Sequence, residues 1–150
     1  MTQEDKQLLL VDLCARSPYG VCVNLPNHHL VSHKYVIYDI NIRNGWTIGI
    51  LDCAGRIQIY SAKVEDIKPY LRPMSSMTDG ELIEFLEIRG RNLNSEELRT
   101  FRKGETAIVS TLPSYSRHID WLNEHHFDYR GLIDKGLAIE VNKENNPYKE

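Results

Sequence analysis

Apolar positions follow two periods along this chain, and the change between them predicts its layout. From Thr2 the first segment gathers Leu8, Leu9, Leu10, Val11, Leu13 and Cys14 within one helix length, a nearly all-apolar pattern that predicts burial on most sides. Thr2 with Asp5 marks the expected start. Pro18 marks the stop, because the residue ahead of a proline is pushed out of the α region. The period then shortens to two. Val21–Val23, Tyr35–Ile42, Trp46–Leu51 and Arg56–Tyr60 each read as strands.

Asn44-Gly45 lies between the second and third of these runs. Both residues tolerate the positive φ of a type I′ turn, so a two-residue hairpin is expected there. That turn would set Ile40 opposite Gly49, Tyr38 opposite Leu51 and Val36 opposite Cys53. Ile37, Trp46, Ile48 and Ile50 would share the other face. With both faces apolar, the hairpin is expected to be covered on two sides, as in a curled sheet or a small barrel flanked by helix.

The second half returns to helical spacing. Thr78-Asp79-Gly80-Glu81 fits a capping box, Met77 and Leu82 a hydrophobic staple, and Leu82, Phe85, Leu86 and Arg89 one helix face ending at Gly90. Ser95 is expected to cap a short helix through Phe101, ending at Gly104. Ser114 or Ser116 should begin another that runs to about His126. Leu132–Gly136 reads as a helical turn leading into a last strand, Leu137–Val141, and the polar residues 142–150 as a frayed tail. The expected fold is therefore α+β: a small antiparallel, barrel-like sheet of about four strands, then three to four helices and a short last strand, in a single domain spanning 1–150. Its β-rich part is 1–75 and its mainly helical part 76–141.

Composition narrows the setting. A chain of 150 residues, 41% apolar and 26% charged, can bury a core without metal or disulfide staples. No apolar run is long enough to span a bilayer, and the acidic opening Met1–Lys6 predicts no secretory signal. Cys14, Cys22 and Cys53 form an odd set without C-x-x-C spacing, so buried free thiols in a reducing cytoplasm are expected. Residues 1–75 hold 8 basic and 7 acidic side chains, and residues 76–150 hold 10 and 14. Neither half carries the basic face of a nucleic-acid binder.

Candidate chemistry is sparse. His28, His29 and His33 read as a solvated loop beside Pro26-Asn27. His118, Trp121 and His125 share one helical stripe with Asp128 beyond, and imidazoles with a carboxylate are legitimate metal ligands. His118 and His125 lie two turns apart, however, roughly 10 Å along a helix, too far to share an ion unaided. No metal or cofactor is therefore expected, and a metal-dependent hydrolase using His118, His125 and His126 is an alternative. Cys22 sits in an apolar strand pattern and reads as a core thiol rather than half of a Cys–His dyad. Glu65-Asp66 and Glu96-Glu97 read as solvated first-turn charges. A winged-helix reading of residues 132–139 meets the wrong charge: residues 114–141 hold three basic and five acidic side chains.

The segment from Trp121 to Leu132 is dense in the residue types that anchor interfaces. Trp121, His125, His126, Asp128, Tyr129 and Arg130 are the candidate binding residues. Local core, with Asp128 and Arg130 as a polar lock, is the competing reading. No catalytic residue is nominated.

Three blocks, Ala15-Arg16-Ser17-Pro18-Tyr19-Gly20-Val21, residues 64–78 (Val64-Glu65-Asp66-Ile67 through Met77-Thr78) and residues 128–138 (Asp128-Tyr129-Arg130-Gly131 through Leu137-Ala138), resemble a family of short uncharacterised proteins. That family is common in gut Bacteroidota genomes and in their phages and mobile elements. The blocks cover about a quarter of the chain. The resemblance implies a bacterial or phage cytoplasmic setting, no particular activity, and a variable helical insert over roughly 80–116. The expected function is non-catalytic: a phage or mobile-element accessory protein that binds a protein or small-molecule ligand, with self-association left open.

Overall fold

The structure is a computed structural model that describes residues 1–25, 35–41, 47–52, 60–88 and 116–149. These fall into two compact units, Met1–Leu71 with Arg130–Glu150 and Arg72–Tyr129. Helix α1 (Gln3–Arg16) opens the first unit, and Thr2 caps it by accepting the Asp5 N–H at 3.1 Å while Asp5 accepts the Thr2 N–H. Leu9, Leu10 and Leu13 are buried, whereas Val11 and Cys14 are exposed. The expectation of a helix buried on most sides is corrected accordingly. The polar side chains of Asp12 and Arg16 occupy the buried face instead, joined at 2.7 Å, so the buried stripe is wide but not all apolar.

Strands β1 (Cys22–Asn24), β2 (Tyr35–Asn41), β3 (Thr47–Asp52), β4 (Tyr60–Lys63), β5 (Lys68–Leu71) and β6 (Ile139–Glu140) make an open sheet in the order β4-β3-β2-β1-β5-β6. All neighbours are antiparallel except β5 and β6. The α+β class stands; the sheet does not close into a barrel.

The expected register between β2 and β3 is corrected. Ile40 pairs with Ile48 rather than Gly49, and Val36 with Leu51 rather than Cys53. The last pair, Asn41 with Thr47, leaves a connection longer than two residues, and Asn44-Gly45 lies outside the described residues. An irregularity between Ile37 and Asp39 shifts the pairing again. One extra residue flips the side-chain alternation. Tyr35 and Ile37 face the core, Asp39 is exposed, and beyond the shift Ile40 packs against the core.

The fourth strand is described over Tyr60–Lys63, and residues 56–59 of the expected strand lie outside the described residues. Strand β5 was not anticipated. Its Pro69 faces Val23 and Lys68 faces Asn24 across the antiparallel pair with β1. The core of this unit joins α1 to β1, β2, Val64, Ile67, Leu71, Leu132, Leu137 and Ala138. Residues 142–149, expected to fray, are turned back by Asn142, Asn145 and Asn146 side-chain bonds and held by Tyr148.

The second unit holds α2 (Asp79–Glu87) and α3 (Ser116–Glu124). Thr78 and Glu81 form the expected capping box, and Leu82, Phe85 and Leu86 are buried, with Met77 packed on the same cluster. The helix expected from Ser95 and the stop at Gly90 lie outside the described residues. No helix among the described residues is long and apolar enough to cross a membrane.

Candidate binding site

Arg72 organises the second unit. Its backbone N–H donates to the His126 carbonyl at 2.8 Å, and its carbonyl accepts from the Asp128 N–H at 2.8 Å. Its guanidinium lies over the Phe127 ring, 4.2 Å from the centroid, and forks onto Glu81 with Nη1 to Oε1 at 2.6 Å and Nη2 to Oε2 at 3.0 Å. Glu81 Oε2 also accepts the Thr78 N–H at 2.8 Å. The Arg72 fork, with the Thr78 bonds, holds the Glu81 carboxyl down to about 2. One side chain thus ties the start of α2 to the segment that follows α3.

That segment begins at an unusual helix end. The Phe127 N–H returns to the Leu122 carbonyl at 2.9 Å and the His126 N–H to the Asn123 carbonyl at 3.1 Å. This six-to-one and five-to-two pattern normally places glycine at the left-handed residue, but here His126 takes it with φ +58. Leu122 and Phe127, the two ends of the longer bond, share the unit's apolar cluster, which helps hold the histidine there.

Five rings pack together in this unit. Trp121 stacks on His125 at 3.9 Å and 21°, and on Phe127 at 5.7 Å and 12°. Phe85 meets Trp121 at 5.3 Å and His118 edge-on at 4.9 Å. His125 Nδ1 lies 2.9 Å from the Trp121 carbonyl. A carbonyl can only accept, so His125 Nδ1 carries a proton and donates it to the Trp121 carbonyl. The Trp121 Nε1–H is buried and meets no acceptor among the described residues.

The six candidate binding residues separate under this geometry. Trp121, His126 and Asp128 are buried, while His125 and Tyr129 are half-buried in the same unit, with the Tyr129 hydroxyl donating to Asn123 Oδ1 at 3.0 Å. Arg130 belongs to the first unit, where its Nη1 donates to Asp12 Oδ1 at 3.2 Å. This Asp12–Arg130 pair was not part of the expected site. His118 is buried beside Phe85, and Trp121 joins that ring to His125. Among the described residues no group of three or more His, Cys, Asp or Glu side chains is arranged to hold a metal ion.

Sequence reasoning missed Arg72 and Glu81 as parts of this site. Glu81 was read as half of a capping box, and nothing local to Arg72 reveals that residues 126–128 pack beside it. The chain matches no protein-family model, no curated protein and no solved structure.

Proposed function

We propose that this is a non-catalytic binding protein of the bacterial cytoplasm, whose second unit presents His125 and Tyr129 as the accessible part of a rigid aromatic anchor. The observation that carries the reading is the fixed pose of His125: stacked on Trp121 and locked by its Nδ1–H. Preorganised aromatic side chains contribute binding energy at low entropic cost, because little rotamer freedom remains to be lost. The fitting partner is a protein or small molecule that brings a hydrogen-bonding group to the His125 ring and a flat apolar group to the ring edges.

The carboxylates support a non-catalytic role. Glu81 and Asp12 are each gripped by arginine, which suits a structural lock better than proton transfer. The resemblance to phage and mobile-element proteins supplies the setting, an accessory factor that engages a host component.

The test is a nitrogen–proton correlation titration of the labelled protein with a panel of peptides and aromatic small molecules. Binders should move the Trp121 indole signal and the amides of residues 121–129. His125→Ala should abolish those shifts while leaving the unbound spectrum otherwise folded. Hits that cluster elsewhere, or chemical turnover of a bound compound, would overturn the reading.

A further inference from the structure

The register of the first unit places Cys22 one step beyond the Val23–Pro69 pair, opposite Tyr70. In an antiparallel ladder the Cys22 N–H would donate directly to the Tyr70 carbonyl. Here the hydroxyl of Tyr148 stands between them, accepting from Cys22 N–H at 3.2 Å and donating to the Tyr70 carbonyl at 2.7 Å. A side chain from the far end of the chain has replaced a ladder bond with a two-step relay.

Local chemistry brings it there. After β6, Asn142 Oδ1 accepts from the N–H groups of Glu144 and Asn145, at 2.8 and 3.1 Å. Asn145 returns the contact by accepting the Asn142 N–H at 2.7 Å, and its Nδ2 donates to the Glu140 carbonyl at 2.9 Å. Asn146 Oδ1 accepts the Tyr148 N–H at 2.9 Å. The Asn145 bond to Glu140 ties the segment to the end of β6, and the others only shape the segment itself. Pro147 is buried and Tyr148 half-buried, while residues 142–144 and Lys149 are exposed. Beyond the Asn145–Glu140 bond, the Tyr148 hydroxyl holds the segment to β1 and β5.

We infer that residues 142–149 form a releasable strap that closes the seam between β1 and β5 through the Tyr148 hydroxyl. Segments with few buried apolar groups open locally at a lower free energy than the core they cover. Release of the strap uncovers the Cys22 N–H and the Tyr70 carbonyl, an exposed donor and acceptor at one end of a strand pair. The strap therefore controls access to that seam.

Native-state hydrogen exchange of the full chain tests this. Cys22, Asn145 and Tyr148 amides should exchange through one shared opening with weak dependence on denaturant, while the Leu13 amide exchanges only on global unfolding. Tyr148→Phe should speed Cys22 exchange relative to Leu13 by roughly tenfold, about the worth of one hydrogen bond. Exchange of Cys22 in the wild-type protein only with the global event would overturn the inference, and that measurement decides the matter even if the variant folds poorly. An unchanged Cys22-to-Leu13 ratio in a folded Tyr148→Phe protein would overturn it equally.

Discussion

Arg72 holds Glu81 through both ends of its guanidinium, at 2.6 and 3.0 Å, while the plane of the same group covers Phe127. Lowering the Glu81 carboxyl from its ordinary value to about 2 makes this pair a pH-linked element. Its stabilisation is complete above the unfolded value, near pH 4.5, and fades as pH falls from there toward about 2. Glu81 is one-fifth exposed, so solvent screening reduces the contribution to on the order of 1 kcal/mol. Denaturation midpoints at pH 6 and pH 3 should therefore converge in Arg72→Met compared with the wild-type protein. Arg72→Lys should recover little, since an ammonium cannot fork and stack at once.

Asp12 and Arg16 have no solvent exposure, and Arg130 reaches the second Asp12 oxygen. Asp12→Ala strips Arg16 of its carboxylate partner inside the core and should cost about 3–5 kcal/mol. Replacing both, Asp12→Leu with Arg16→Met, should cost less than Asp12→Ala alone, because the fully buried guanidinium leaves with its counterion and only the partly exposed Arg130 loses its Asp12 contact. Equilibrium denaturation of the two variants checks the order. A double variant weaker than the single would show that the pair adds more than its desolvation removes.

Thr78 closes the capping box through three contacts with Glu81, between 2.8 and 3.3 Å. Thr78→Ala should lower stability by about 1 kcal/mol. The loss should shrink in an Arg72→Met background, because all three groups share one network. A double-mutant cycle measures that coupling.

Helix ends show what the sequence reveals and what it hides. Gly136 is left-handed at φ +68, and the Leu137 N–H returns to the Leu132 carbonyl at 2.9 Å. The glycine made that turn legible. The same bond pattern closes α3 around His126, where no glycine announces it, so the sequence reading ran the helix on to that residue. Capping residues read well for the same reason: Thr2 and Thr78 act on neighbours three positions away. Long-range features did not read. The shift at β2 moves the register by one residue without a compositional mark, and Pro69 concealed β5 because its fit depends on a partner strand far off in sequence. The candidate site followed this division. Its aromatic density was visible in Trp121–Leu132, whereas the burial of most of those rings and the role of Arg72 depend on tertiary packing.

Gly136→Ala separates backbone conformation from packing at one of these ends. A methyl group built there would meet nothing within 4 Å, so the penalty is confined to the left-handed backbone. The expected loss is about 1 kcal/mol with no change in fold. A calorimetric midpoint within error of the wild-type value would show that the turn relaxes to a right-handed alternative.

Alkaline titration reaches Tyr148. Desolvation pushes its hydroxyl far above the ordinary tyrosine value, with the nearby Cys22 thiol and Asp12 adding to the effect and the Cys22 N–H and Arg16 opposing it. A group whose folded value is raised stabilises the protein fully below its unfolded value, near pH 10, and loses that contribution as pH rises beyond it. In the unfolded chain the phenol ionises; in the folded chain it stays protonated, because only the protonated hydroxyl donates to the Tyr70 carbonyl. Stability should therefore decline more steeply above pH 10 in the wild-type protein than in Tyr148→Phe, which cannot ionise. Other tyrosines and the lysines titrate in both proteins and cancel in the difference. Below pH 9 the wild-type protein should be the more stable of the two, and the gap should narrow as pH climbs. Parallel denaturation curves at every alkaline pH would mean that Tyr148 ionises as readily in the folded protein as in the unfolded chain, and that the bond to Tyr70 does not hold its proton.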